Sequence, residues 1–137
     1  MIDTNVIVSG LRSTEGAAFR VLKGVQSGLV KPVISQALFL EYEDVLMRPG
    51  ILPAHMPEQA VHRFLNAFLK ASDIQKIFFR WRPWLPDPKD EFVLELAVAA
   101  GCIPITTSNL RDFRPASKLG VQVMTPWELS TKLNLPK

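Results

Sequence analysis

Asp87-Pro-Lys-Asp-Glu-Phe-Val-Leu-Glu-Leu-Ala-Val-Ala-Ala-Gly-Cys-Ile-Pro-Ile-Thr-Thr107 is the stretch on which the fold turns. Asp87 is a good N-cap, Pro88 suits the first helical turn, and Asp90 at the third position complements the helix macrodipole. Phe92, Val93, Leu96, Ala97 and Ala100 make the helix that follows apolar on nearly every side, and Gly101 ends it. Ile103 to Thr107 then reads as a strand. A helix buried this thoroughly, running straight into a strand, is the unit from which a parallel sheet covered on both faces is built.

The same alternation extends in both directions. Residues 15–27 read as a helix, because Ala18, Val21, Leu22 and Val25 recur at helical spacing and Gly28 is a stop signal. Val30 to Ile34 reads as a short strand. Ser35 is the expected N-cap of a helix with a stripe of Leu38, Phe39, Tyr42, Val45 and Leu46, ended by Arg48-Pro49-Gly50. Pro57 is expected as the first residue of another helix, with Val61, Phe64, Leu65, Phe68 and Leu69 on its apolar face. Ile74 to Trp81 and Val121 to Met124 are expected strands, and Pro126 to Leu133 a terminal helix. No linker, repeat or low-complexity segment interrupts the pattern. One domain over residues 1–137, of α/β class with a central parallel sheet, is therefore expected.

Composition narrows the class further. A chain of 137 residues with 47% hydrophobic and 21% charged residues is neither disordered nor membrane-spanning, since no apolar run approaches the ~20 residues a bilayer needs. The start, Met1-Ile2-Asp3-Thr4-Asn5, lacks the basic region of a secretory signal. Cys102 has no second cysteine to pair with and is expected to pack in the core, in keeping with a reducing compartment. The expected location is the cytoplasm. Ser-His-Asp ordering, a Gly-rich phosphate loop and paired cysteines are all missing, so triad hydrolases, P-loop enzymes and zinc sites lack support. His55 and His62 read as surface residues. A phosphoacceptor domain of the receiver type would want two acids on an early strand and a late lysine, and neither is evident.

Four acids stand where strands and helices deliver carboxylates to one edge. In open parallel sheets ligands gather at the carboxyl ends of strands. Asp3 would end the first strand, Asp112 follows the strand at 103–107, Asp90 opens the helix before it, and Glu41 stands beside Tyr42, one position off the stripe formed by Leu38 and Tyr42. Hard cations such as Mg²⁺ and Mn²⁺ take oxygen ligands and share them with substrate phosphates, so a phosphodiester is the natural substrate. Plainer roles exist for each acid. Asp87 and Asp3 are also caps for the segments that follow them, Asp112 is also a turn residue, and Glu41, Glu43 and Asp44 together also describe a solvated helix face.

A net charge of +3 matters less than its placement. Lys76, Arg80, Arg82 and Lys89 alternate with Phe78, Phe79, Trp81 and Trp84, and Arg111, Arg114 and Lys118 follow. Basic and aromatic groups together hold a phosphate backbone and stack on unpaired bases. The same mixture also describes a strand with one apolar and one solvated face.

Asp3-Thr-Asn-Val, Leu40-Glu-Tyr42 with Val45-Leu-Met-Arg-Pro49, Asp87-Pro-Lys-Asp90 with Leu94-Glu-Leu-Ala97, and Thr106-Thr-Ser-Asn-Leu-Arg-Asp-Phe113 resemble, in order, the landmarks of PIN domains. The resemblance spans nearly the whole chain. It implies a three-layer α/β/α sandwich and a metal-dependent nuclease, usually acting on RNA, and many small members are toxins of toxin–antitoxin pairs. It singles out Glu41 over Glu43, and it makes Asp3, Glu41, Asp90 and Asp112 the catalytic and metal-binding acids for Mg²⁺ or Mn²⁺. Asn5, Thr107 and Asn109 would support them, with Asp87 beside Asp90. Arg80, Arg82, Trp84 and Arg111 are the expected RNA contacts. RNA as substrate, an antitoxin protein as partner and a homodimer complete the expectations, and no membrane association is expected. The alternative is a catalytically silent PIN-like module that binds RNA or protein. Such domains carry several apolar residues before the first Asp. Here Met1 and Ile2 stand in that place, so the first strand is expected to be very short or truncated at its start.

Overall fold

The computed structural model describes residues 1–76, 96–101 and 103–136. Five α-helices, four short strands and one 3₁₀ helix follow one another among these residues: α1 (Thr4–Arg12), α2 (Ala17–Ser27), β1 (Val33–Ile34), α3 (Gln36–Leu46), α4 (Glu58–Ala71), β2 (Asp73–Ile74), β3 (Ile105–Thr106), the 3₁₀ helix (Leu110–Leu119), β4 (Val123–Met124) and α5 (Pro126–Lys132). Residues 96–99 are also helical, inside the helix expected to begin at Asp87. Its start, the aromatic and basic segment through Arg80, Arg82 and Trp84, and Cys102 lie outside the described residues.

The strands pair in parallel. β1 pairs with β2 (Val33 with Asp73, Ile34 with Ile74), and β3 pairs with β4 (Ile105 with Val123, Thr106 with Met124). Ile2 adds a parallel bridge to Thr106 on the other side of β3. Two hydrogen bonds close that bridge: the Thr106 amide donates to the Met1 carbonyl and the Asp3 amide to the Thr106 carbonyl, both at 2.8 Å. The expected central sheet is thus represented, among the described residues, by two parallel pairs and one bridge. β1, β3 and β4 are each shorter than their apolar runs, the first strand is reduced to Ile2, and the strand expected from Ile74 to Trp81 lies outside the described residues from position 77 on.

Caps set most helix limits where the sequence places them. Ser35 accepts from the Leu38 amide at 3.1 Å and starts α3, a contact of about 1 kcal/mol. Gly28 closes α2 at φ 84°, a left-handed conformation that costs a side-chain-bearing residue energy. Thr125 and Glu128 form a capping box around α5, with Pro126 in its first turn. Pro57 is the N-cap of α4 rather than its first residue, a shift of one position. On α3, Leu38, Tyr42 and Leu46 are buried, whereas Phe39 and Val45 are half-buried at the margins of the stripe.

Two elements have no counterpart in the sequence reading. α1 begins at Thr4, with only the Asp3 cap between it and Ile2, and buries Thr4, Val6, Ile7 and Gly10. A Cβ on Gly10 would stand 2.4 Å from Leu22 Cδ1, so the missing side chain is what lets α1 lie so close on α2. The 3₁₀ helix buries Phe113 and Ala116 completely, and their spacing of three matches its three-residue turn. Pro115 lies within it. The core is continuous from Ile2 and Ile7 through Ile34, Leu38, Tyr42 and Leu65 to Leu96, Ile105 and Phe113. None of the described helices is long and apolar enough to cross a membrane.

Candidate active site

Ile2 is bridged to β3 by the Met1 carbonyl and the Asp3 amide on either side of it, so Asp3 emerges at the carboxyl end of the bridge and becomes the N-cap of α1. One carboxylate oxygen, Oδ1, accepts from the Thr4 amide at 2.8 Å. The other, Oδ2, accepts from the Thr107 hydroxyl at 2.7 Å. Thr107 follows β3 and is fully buried, and Asp3 is only 7% exposed. The Thr107 oxygen in turn accepts from Asn5 Nδ2 at 3.3 Å and from the Asn109 amide at 3.1 Å. A hydroxyl offers one donor and two acceptor sites, and here all three are used. Asn5 Oδ1 also accepts from the Ser108 amide at 3.2 Å, tying α1 to the turn after β3.

Glu41 comes to the same place from α3. Its Oε2 accepts from the Thr4 hydroxyl at 2.8 Å, so Thr4 reaches one carboxylate with its backbone and the second with its side chain. Tyr42, the next residue, is fully buried and donates from its hydroxyl to the Ile2 carbonyl. Its ring meets Phe68 edge-on, 5.6 Å between centroids. Burial holds the Tyr42 pKa well above the usual tyrosine range, and the charges of Asp3 and Glu41 raise it further. Both acids therefore act on one buried point beneath the sheet edge.

The other acids of α3 go elsewhere. Asp44 pairs with Arg48 at 2.6 Å on an exposed surface, and Glu43 is half-buried. Asp112 stands half-buried in the first turn of the 3₁₀ helix, where its amide donates to the Asn109 carbonyl at 3.2 Å. Asp3 and Glu41 are thus brought together through Thr4, and Asn5, Thr107 and Asn109 through the Thr107 hydroxyl. Among the described residues no group of three or more acids, histidines or cysteines is close enough to hold a metal ion. Asp87 and Asp90 lie outside those residues, and so do Arg80, Arg82 and Trp84. Arg111 is exposed at the start of the 3₁₀ helix. His55 and His62 are exposed, and His62 lies 3.6 Å from Glu58. Thr4, which joins the two carboxylates, is the residue that the sequence alone does not single out. Its one signal was position, between an edge acid and Asn5.

An α/β domain with parallel strand pairs and two carboxylates joined at a strand end defines the class. A family model described as PIN domain matches residues 1–111, and the chain belongs to that family. No curated protein and no solved structure matches the chain. PIN domains are usually nucleases and typically use divalent metals. The donor chemistry fits such an ion. Asp3 and Glu41 offer carboxylate oxygen, the hard ligand Mg²⁺ and Mn²⁺ prefer.

Tyr42 gives the site's first prediction. Tyr42→Phe leaves the Ile2 carbonyl buried without its donor, a loss of about 1–2 kcal/mol by urea unfolding. The pH dependence should change too. A tyrosine whose folded pKa is raised contributes stability that is complete below the unfolded value of about 10 and is lost as pH rises past it. The parent should therefore weaken above about pH 10 more steeply than Tyr42→Phe. Parallel alkaline curves would show that Tyr42 does not hold this position.

Proposed function

We propose that this chain is an Mg²⁺- or Mn²⁺-dependent ribonuclease, a single domain of three-layer α/β/α architecture over residues 1–137. We further propose that it works in the cytoplasm as the toxin of a type II toxin–antitoxin pair, opposed by an antitoxin protein and assembled as a homodimer. The observation that carries the nuclease reading is Thr4, whose amide and hydroxyl hold Asp3 and Glu41 side by side at the strand end. The toxin reading rests on the resemblance to PIN domains, many small members of which are toxins.

In this reading Asp3, Glu41, Asp90 and Asp112 would hold the ion, Asp112 being the described acid that the structure leaves apart from the Asp3–Glu41 pair. When bound, the cation supplies Lewis acidity to the phosphodiester and lowers the pKa of a nearby water. Thr107, itself fixed by Asn5 and Asn109, keeps Asp3 at one angle, and Thr4 fixes its spacing from Glu41. Tyr42 secures the strand that carries Asp3. Arg80, Arg82, Trp84 and Arg111 are the proposed strand-binding groups, with Asp87 capping the helix that presents Asp90.

The test is cleavage of a mixed-sequence single-stranded RNA by purified protein with Mn²⁺, against the same reaction in chelator. Metal-dependent cutting is the expected result, together with growth arrest when the chain is induced in a bacterial host. RNA binding without cutting at any metal concentration would make the chain a silent module of the same family.

A further inference from the structure

Resting on the RNA reading above, we propose that Trp127 is the platform on which an unpaired base next to the cleavage site stacks. The sheet register places it there. Ile2, Thr106 and Met124 lie side by side on three parallel strands, with the Thr107 amide donating to the Met124 carbonyl at 2.9 Å. The residues one step further along are Asp3, Thr107 and Thr125, and all three therefore stand on the same edge. Neighbouring strands are about 4.8 Å apart, so Thr125 lies roughly 10 Å across from Asp3. Trp127 follows in the first turn of α5, before that helix leaves the edge.

Packing does not account for this tryptophan. α5 buries Pro126 and Ser130, while Trp127 remains 62% exposed. One exposed apolar side chain is ordinary on a protein surface, and its place is what gives this one meaning. Arg111 and Arg114 are exposed on the 3₁₀ helix, which packs against β4. Carboxylates thus stand at one end of this edge, Trp127 opens the helix at its other end, and exposed arginines lie on the segment that connects β3 and β4. Sequence-tolerant binding of single strands uses this combination, with cations tracking the backbone and an aromatic face taking a base.

The experiment measures binding of a labelled single-stranded oligoribonucleotide by anisotropy, with Ca²⁺ in place of Mn²⁺ and strand integrity checked on a gel. Three proteins are compared: the parent, Trp127→Ala and Trp127→Tyr. The position is exposed, so both variants should fold with the parent's stability. Trp127→Ala is expected to bind about 10-fold more weakly, within the range for one lost base stack, and Trp127→Tyr to recover most of that. Repeating the titration with strands that carry abasic sites should erase the difference between parent and Trp127→Ala. Equal affinity of parent and Trp127→Ala for the intact strand overturns the proposal and leaves the ribonuclease reading standing. A deficit that persists on abasic strands, or a change only in oligomeric state, also overturns it, the latter assigning Trp127 to a protein interface. No RNA binding by the parent overturns both readings together.

Discussion

Glu41→Gln should lose at least ~100-fold of Mn²⁺-dependent RNA cleavage, given that removing even a partner of a metal ligand typically costs 10–100-fold. Its melting temperature should stay close to the parent's. The contrast comes from the geometry. Glu41 receives the Thr4 hydroxyl on Oε2 at 2.8 Å, and a glutamine keeps a carbonyl oxygen that accepts the same bond. α3 also keeps its buried stripe of Leu38, Tyr42 and Leu46, none of which the change touches. What disappears is one negative charge beside Asp3, the contribution that a hard divalent cation needs most. Cleavage rate and thermal unfolding of the same two preparations decide the matter. Undiminished cutting by Glu41→Gln would remove Glu41 from the site, and lost cutting with lost structure would assign it a role in folding instead.

Legibility in the sequence followed the strength of local signals. α2, α3 and α5 end or begin at Gly28, Ser35 and the Thr125-Pro126 pair, residues whose backbone preferences or capping oxygens act without help from distant parts of the chain. α1 had one such marker, the Asp3 cap, but the residues after it pointed elsewhere. Val6, Ile7 and Val8 are β-branched and favour strand on propensity alone, and only the Asp3 cap separates the helix from Ile2. Burial of Val6 and Ile7 and the Asp3 cap outweigh that preference. The 3₁₀ helix was hidden for a similar reason, because Pro115 reads as a breaker until Phe113 and Ala116 are seen to share a face. Each strand pair spans two residues, too few to display the alternation that marks a strand. Within the site, Asp3 and Glu41 were visible through the family's landmarks. Thr4 was not, since a threonine after an N-cap carries no signal of the two carboxylates it touches.

Asp3→Asn, by comparison, should damage both cleavage and stability, although it is as conservative in shape as the Glu41 change. Asp3 accepts two hydrogen bonds from opposite sides, from the Thr4 amide on Oδ1 and the Thr107 hydroxyl on Oδ2. An asparagine has one oxygen for these two donors. With that oxygen toward Thr4, the new NH₂ faces a Thr107 oxygen whose acceptor positions are already taken by Asn5 and Asn109. With the oxygen toward Thr107, the NH₂ instead faces the Thr4 amide, and α1 loses its cap. Either orientation sets donor against donor in a buried place, at a cost of about 1–3 kcal/mol, or roughly 3–10 °C in melting temperature for a chain of this size. Loss of the charge should reduce cleavage as far as Glu41→Gln does. The pair of variants therefore separates two duties that coincide at Asp3, positioning by hydrogen bonds and attraction of the cation by charge. Thr107→Ala supplies the control: because both changes remove the same contact, it should cost less stability in the Asp3→Asn background than in the parent, and it should restore none of the activity. If Asp3→Asn melts with the parent, the Thr107 contact does not constrain Asp3. If it also cuts RNA at the parent's rate, Asp3 is only a helix cap.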